Sequence, residues 1–171
     1  AQWAANTYTI KFNGNGATGG SMSDLSMTYD SAKNLTSNAF TRTGYTFFGW
    51  STNKDATKES YTNGQSVNNL TETNGGTVNL YALWKKTITI TYNANGGSGA
   101  PGTSTGNVYN SATSYTFTIS STKPTRSGYI FEGWSTSKTA TTVSYKSGSK
   151  YNFSSSTTLY AVWAVAQMTK N

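Results

Sequence analysis

The chain has 171 residues, room for one large domain or two small ones, with 35% hydrophobic and only 11% charged residues. Both shares lie below ordinary globular values, and twelve Tyr, seven Phe and five Trp supply much of the apolar surface, so a helical bundle and a metabolic enzyme are poor readings and a turn-rich β protein is a good one. The absence of Cys excludes disulfides and thiolate zinc sites, the absence of His removes the commonest general base, and a net charge of +7 favours anionic partners.

Ala1-Gln2-Trp3 reads as the tail of a preceding copy of a repeat whose closing strand ends on Trp. The next segment alternates, with Tyr8, Ile10 and Phe12 on one face and Thr9, Lys11 and Asn13 on the other, which predicts a half-buried strand. Asn13-Gly14-Asn15-Gly16 then supplies residues that accept positive φ, a turn into a second strand at Leu25–Tyr29. Any helix is expected to be a single turn near Ser31–Asn38. Gly44-Tyr45-Thr46-Phe47-Phe48-Gly49-Trp50 alternates again, and Gly49 is placed to break the run and turn Trp50 inward. Lys54-Asp55 and Lys58-Glu59 follow in a polar loop, and Val78–Trp84 reads as a closing strand.

After Lys85-Lys86-Thr87 the pattern returns. Ile88, Ile90 and Tyr92 form the apolar face of a new opening strand, followed by Asn93-Ala94-Asn95-Gly96-Gly97 and a second strand expected at Tyr115–Ile119. Gly128-Tyr129-Ile130-Phe131-Glu132-Gly133-Trp134 repeats the glycine-flanked aromatic run at an offset of 84, and Leu159-Tyr160-Ala161-Val162-Trp163 repeats Leu80-Tyr81-Ala82-Leu83-Trp84 at an offset of 79. The expected division is 1–3 as the tail of a preceding repeat, 4–87 and 88–163 as two repeats, and 164–171 as a C-terminal tail or linker. Each repeat offers about four strands in roughly 80 residues, a size that can fold alone. So short a junction predicts two lobes in line, with a radius of gyration of roughly 20 Å rather than the ~16 Å of a single domain.

Three motifs in fixed order, found twice, carry a family resemblance. Gly-Tyr-x-Phe-x-Gly-Trp, the Asn-Gly-rich turn and the terminal Leu-Tyr-Ala-x-Trp together resemble the Listeria–Bacteroides repeat, the internalin B-repeat-like family of bacterial surface proteins, over about residues 7–85 and 87–163. The resemblance implies a mostly β, β-grasp-like repeat, a small twisted sheet with at most one short helix or covering loop. It also implies an extracellular setting at the bacterial cell surface or wall, with roles in wall attachment, adhesion or spacing. The polar stretches 68–77 and 102–114 make these copies longer than usual for the family.

Neither chemistry nor metal binding is expected from the charged residues. Asp55 and Glu59 form the best carboxylate pair, yet the second copy has no acid in the corresponding stretch, and six dispersed acids do not make a calcium site. No enzyme activity, cofactor or metal is therefore expected. Tyr45, Phe47, Trp50 and Trp84, with Tyr129, Phe131, Trp134 and Trp163, read as core residues rather than a sugar-stacking platform, because all recur at motif positions. Tyr109, Tyr115 and Tyr151 lie outside those motifs and read as better candidates for exposed contacts. Residues 88–163 carry Lys123, Arg126, Lys138, Lys146 and Lys150 against Glu132, a net +4, whereas residues 4–87 carry seven bases and five acids, a net +2. Those five bases are the candidate site for an anionic polymer. Expected partners are a cell-wall polymer, or a host surface glycan or protein, and the adjacent repeats of the chain. With no basic stripe and no apolar run of membrane-spanning length, nucleic acid and a membrane span are not expected, and the chain is expected to be a monomer. No leader or sorting motif is visible, so such signals are expected outside this sequence.

Overall fold

The computed structural model describes residues 4–167. Its regular structure is all strand, and among the described residues there is no helix. The chain divides into two compact units, one running up to Lys86 and taking in Tyr109–Ala112, the other made of Thr87–Val108 and the chain from Thr113 onward. The expected tail at residues 1–3 lies outside the described residues, as does the end of the expected C-terminal segment, 168–171.

In the first unit β1 (Thr7–Asn13) pairs antiparallel with β2 (Leu25–Thr28), and its other edge pairs in parallel with β6 (Gly76–Asn93). The part of β6 from Tyr81 to Lys85 pairs antiparallel with β4 (Thr46–Ser51). A two-stranded ribbon of β3 (Lys33–Asn34) and β5 (Ser66–Val67) contributes Leu35 and Val67 to the core beside Tyr8, Ile10, Phe12, Met27, Trp50 and Leu80. Within the stretch near Ser31–Asn38, where any helix is expected to be a single turn, Lys33 and Asn34 thus form a short strand. Residues 31–38 include Lys33, Asn34 and three hydroxyl residues with no 3.6-residue apolar period, and the extended backbone finds ladder partners at Ser66 and Val67.

The second unit repeats the plan. The later residues of β6 take the place of β1, pairing in parallel with β11 (Thr157–Val165), which pairs antiparallel with β9 (Tyr129–Ser135). β7 (Ser104–Tyr109) pairs with β6 as β2 does with β1. β8 (Tyr115–Thr118) pairs with β10 (Lys150–Phe153) and supplies the covering ribbon. The segment expected as the second strand of this repeat, Tyr115–Ile119, is therefore the counterpart of β3. The strand that matches β2 lies earlier, where Gly106 and alternating polar residues weaken the apolar signal.

The opening-strand alternation holds in space: Tyr8, Ile10 and Phe12, and Ile88, Ile90 and Tyr92, are all buried. The glycine-flanked run works by a bulge. Register jumps from Phe47↔Trp84 to Gly49↔Leu83, and from Phe131↔Trp163 to Gly133↔Val162, leaving Phe48 and Glu132 as the extra residues. Gly49 and Gly133 have φ of 148° and 149°, a conformation L-residues rarely adopt, and the chain bends so that Trp50 and Trp134 point into the cores at 0% exposure.

Candidate functional site

The recurring aromatics fall into two classes. Trp50 and Trp134 are enclosed by rings: Phe12 and Phe47 lie 4.9 and 5.1 Å from Trp50, and Tyr92 and Phe131 lie 4.9 and 5.1 Å from Trp134. The closing tryptophans instead clamp the asparagine–glycine turns. Trp84 Nε1 donates to the Gly14 carbonyl at 2.8 Å, and Trp163 Nε1 donates to the Ala94 and Asn95 carbonyls at 3.0 Å. The turns are bolted from their own side as well. Asn15 Nδ2 donates to the Lys54 and Ala82 carbonyls, and Asn95 Nδ2 donates to those of Lys138 and Ala161. These motif residues are thus occupied with holding each unit together.

The candidate core residues do not all reach the same depth. Trp50, Trp84 and Trp134 are buried, whereas Tyr45, Phe47, Phe131 and Trp163 are partly buried. Tyr129 is 37% exposed, with the Arg126 guanidinium standing over its ring, 3.7 Å from the centroid. Of the three tyrosines read as surface contacts, Tyr115 is 38% exposed but leans on Gly106, Tyr151 packs edge-on against Tyr145, and Tyr109 packs against Phe48 at 5.6 Å.

Tyr109 also belongs to a repeated element outside the three motifs. Thr28-Tyr29-Asp30-Ser31-Ala32 returns as Val108-Tyr109-Asn110-Ser111-Ala112, and Asp30 and Asn110 share a left-handed backbone, with φ of 62° and 52°. Its signal in the sequence is an Asx-Ser pair after a tyrosine at an offset of 80, masked by the Asp-to-Asn change. Asn110 is 2% exposed and fully engaged within the first unit. Its amide donates to the Trp84 carbonyl at 2.9 Å, while its Oδ1 accepts the Trp84 N–H at 3.0 Å. Its Nδ2 donates to the Ala56 carbonyl, and its own carbonyl accepts from Arg42 Nη1, both at 2.7 Å. Tyr45 Oη donates to the Ala112 carbonyl at 3.4 Å. Asn110→Ala should destabilise the first unit by about 2–3 kcal/mol, because it strands the Trp84 N–H and the Ala56 carbonyl. Thermal unfolding followed at first-unit amides checks it, and an unchanged midpoint would contradict it.

In the second unit an open cleft of about 710 Å³ lies along Lys123, Pro124, Arg126, Tyr129, Ile130 and Trp163. Of the five candidate bases the structure brings together Lys123 and Arg126 there. Lys138 lies in the loop after β9, Lys146 in the loop before β10, and Lys150 on β10 itself. Lys123, Lys138, Lys146 and Lys150 are exposed and Arg126 is half-buried. Asp55 forms an exposed ion pair with Lys54 at 2.9 Å, and the Glu59 stem packs beside Gly49. Among the described residues no three metal-binding side chains gather, and no helix is long and apolar enough to cross a membrane.

A protein of Evansella cellulosilytica bearing the name Gly-rich membrane protein is 30% identical over 174 aligned positions, which span 99% of this chain and 18% of that protein. No solved structure matches the chain. Residues 8–83 and 89–162 each match the Listeria-Bacteroides repeat domain, the spans that hold the two bulged aromatic runs and the two clamped turns. The chain therefore belongs to the Listeria-Bacteroides repeat family, as two tandem copies.

Proposed function

We propose that this chain is a non-catalytic tandem repeat module of a secreted bacterial surface protein, serving as a spacer and as a cell-wall attachment or adhesion segment. The observation that carries the reading is a division of labour. Most residues that recur between copies are spent on cores and clamped turns, while the exposed remainder is hydroxyl- and amide-rich with a basic excess concentrated in residues 88–163. Such a surface attracts polyanions through screened, long-range charge rather than through a shaped catalytic pocket. Membership of the family supports the surface setting, as does a relative whose name places it at a membrane.

The test is retention of the intact chain on purified cell walls rich in teichoic acid, eluted with salt. Retention should fall steeply above ~0.15 M salt, where exposed charges are screened within about 8 Å. Lys138→Glu, Lys146→Glu and Lys150→Glu together should elute earlier than Lys33→Glu, Lys54→Glu and Lys58→Glu together. Equal elution of the two triple variants would remove the electrostatic basis.

A second reading, a carbohydrate- or host-receptor-binding adhesin domain, draws on the cleft, where the exposed Tyr129 ring, stacked by Arg126, lies near Trp163. Salt-insensitive retention on a defined neutral glycan would favour it.

A further inference from the structure

The first unit has a filled socket. Trp84 is 2% exposed, and the Tyr109–Ala112 turn is bonded to its backbone N–H and carbonyl and fixed by Arg42, Ala56 and Tyr45. The second unit carries the same socket residues at the same motif positions: Trp163 for Trp84, Arg126 for Arg42, Tyr129 for Tyr45 and Ala140 for Ala56. Even the guanidinium geometry matches, since Arg42 and Arg126 each stand 3.7 Å over their tyrosine ring. Yet among the described residues no turn takes the corresponding place against Trp163. Trp163 is only half-buried, Tyr129 and Ile130 are 37% and 56% exposed, and the cleft opens there.

The matching plug is also present. Tyr29-Asp30-Ser31-Ala32 has the sequence pattern and the left-handed Asx backbone of the Tyr109–Ala112 turn. The Asp30 N–H donates to Asn69 Oδ1 and Asp30 Oδ1 accepts from Asn69 Nδ2, so the N–H that Asn110 gives to the Trp84 carbonyl is here exchanged from Asn69 when the turn docks. Asp30 is exposed. We propose that the Lys123–Trp163 cleft is a docking socket for the Tyr29–Ala32 turn of a second copy of this chain, so that copies join head to tail.

Charge selects the occupant. In the filled socket the plug residue is the neutral Asn110, and Ala39 stands where the second unit has Lys123. The open socket presents Lys123 and Arg126, and the free plug carries Asp30, an acid whose carboxylate can accept the Trp163 N–H as Asn110 Oδ1 accepts that of Trp84. Two contacts are not reproduced: Glu132 stands where Phe48 packs against Tyr109, and the Asp30 carboxylate, an acceptor only, cannot donate to the Ala140 carbonyl as Asn110 Nδ2 donates to that of Ala56. The proposal stands apart from the wall-attachment reading, since it concerns how copies join and not what they hold.

The experiment compares the chain with a fusion in which residues 1–163 are followed directly by residues 4–171 of a second copy. That join places the second copy's Asp30 27 residues after Trp163, against 26 between Trp84 and Asn110. Tethering raises the effective concentration of the plug to roughly millimolar. Exchange of the Trp163 backbone amide of the first copy is read by NMR, with Ile90 and Leu159 amides reporting that the unit is folded. The expected result is exchange about 100-fold slower in the fusion than in the chain. Asp30→Lys in the second copy should return the rate to that of the single chain, and Lys123→Glu in the first copy should speed it about three- to fivefold. Equal Trp163 exchange in chain and fusion overturns the proposal. So do shifts of Tyr129 and Trp163 on adding cellohexaose to the chain with no protection in the fusion, which would assign the cleft to a glycan. If the fusion precipitates, the chain alone at rising concentration decides the matter: shifts at Arg126, Tyr129 and Trp163 together with Tyr29–Ala32 support docking, and shifts elsewhere or nowhere refute it.

Discussion

Trp134→Ala should unfold the second unit near room temperature while the first unit keeps its sheet. Trp134 is 0% exposed and wedged between Tyr92 and Phe131 in a core of ten buried residues. Truncating a buried tryptophan costs about 3–5 kcal/mol, and a unit of ~80 residues has roughly 4–12 kcal/mol in hand. The loss therefore consumes much or all of its stability. The indole N–H has no hydrogen-bond partner among the described residues, so the cost lies in packing. Trp134→Phe should accordingly be milder, about 1–3 kcal/mol. The effect is not confined to one unit: β7 leads directly into Tyr109–Ala112, so unfolding it removes the turn that Asn110 fixes and weakens the first unit by about 2–3 kcal/mol. Differential scanning calorimetry with NMR spectra at 25 °C checks this. A folded Trp134→Ala variant that had lost only a glycan ligand would hand the tryptophans back to the sugar-platform reading.

Gly133→Ala should cost about 3 kcal/mol or more, although it adds one methyl group. Two effects add. A φ of 149° is strained for any L-residue, and the new Cβ would stand 2.5 Å from Val143 Cγ1 and 3.1 Å from the Tyr145 carbonyl oxygen. The Trp134 N–H donates to that same carbonyl at 2.9 Å, so relieving the clash would pull apart the bridge that holds Trp134. Gly49→Ala meets Glu59 Cβ at 2.4 Å and the Tyr61 carbonyl at 2.9 Å and should behave alike in the first unit. By contrast Gly128→Ala meets nothing within 4 Å and should cost only about 1 kcal/mol, for its positive φ alone. Urea titration ranks the variants, and a Gly133→Ala midpoint equal to that of Gly128→Ala would contradict the close approach.

Much of the fold was legible because each motif residue answers to a local rule. Alternation announced the opening strands, and glycine inside an aromatic run announced the bulge that turns Trp50 and Trp134 inward. What stayed hidden depends on partners distant in sequence. Lys33-Asn34 and Ser66-Val67 form a ribbon only because they meet each other, and two residues show no period. The Asn110 turn was invisible for the same reason: its value lies in Trp84, Ala56 and Arg42, which are 26 to 68 residues away. Alternation with Phe131 marks Tyr129 as core, but alternation cannot tell a covered face from an open one, and Tyr129 is 37% exposed. The candidate bases were a count rather than a site, and only Lys123 and Arg126 share a surface feature.

Each repeat owns a core built from its own recurring residues. Residue-resolved hydrogen exchange on Trp50→Ala tests it most directly, because the first unit donates no segment to the second. Trp50 is 0% exposed, so the variant should lose protection at Ile10, Leu80 and Ala82. Ile90, Trp134, Leu159 and Ala161 should keep theirs. Loss of protection at both sets in one step would contradict two separate cores.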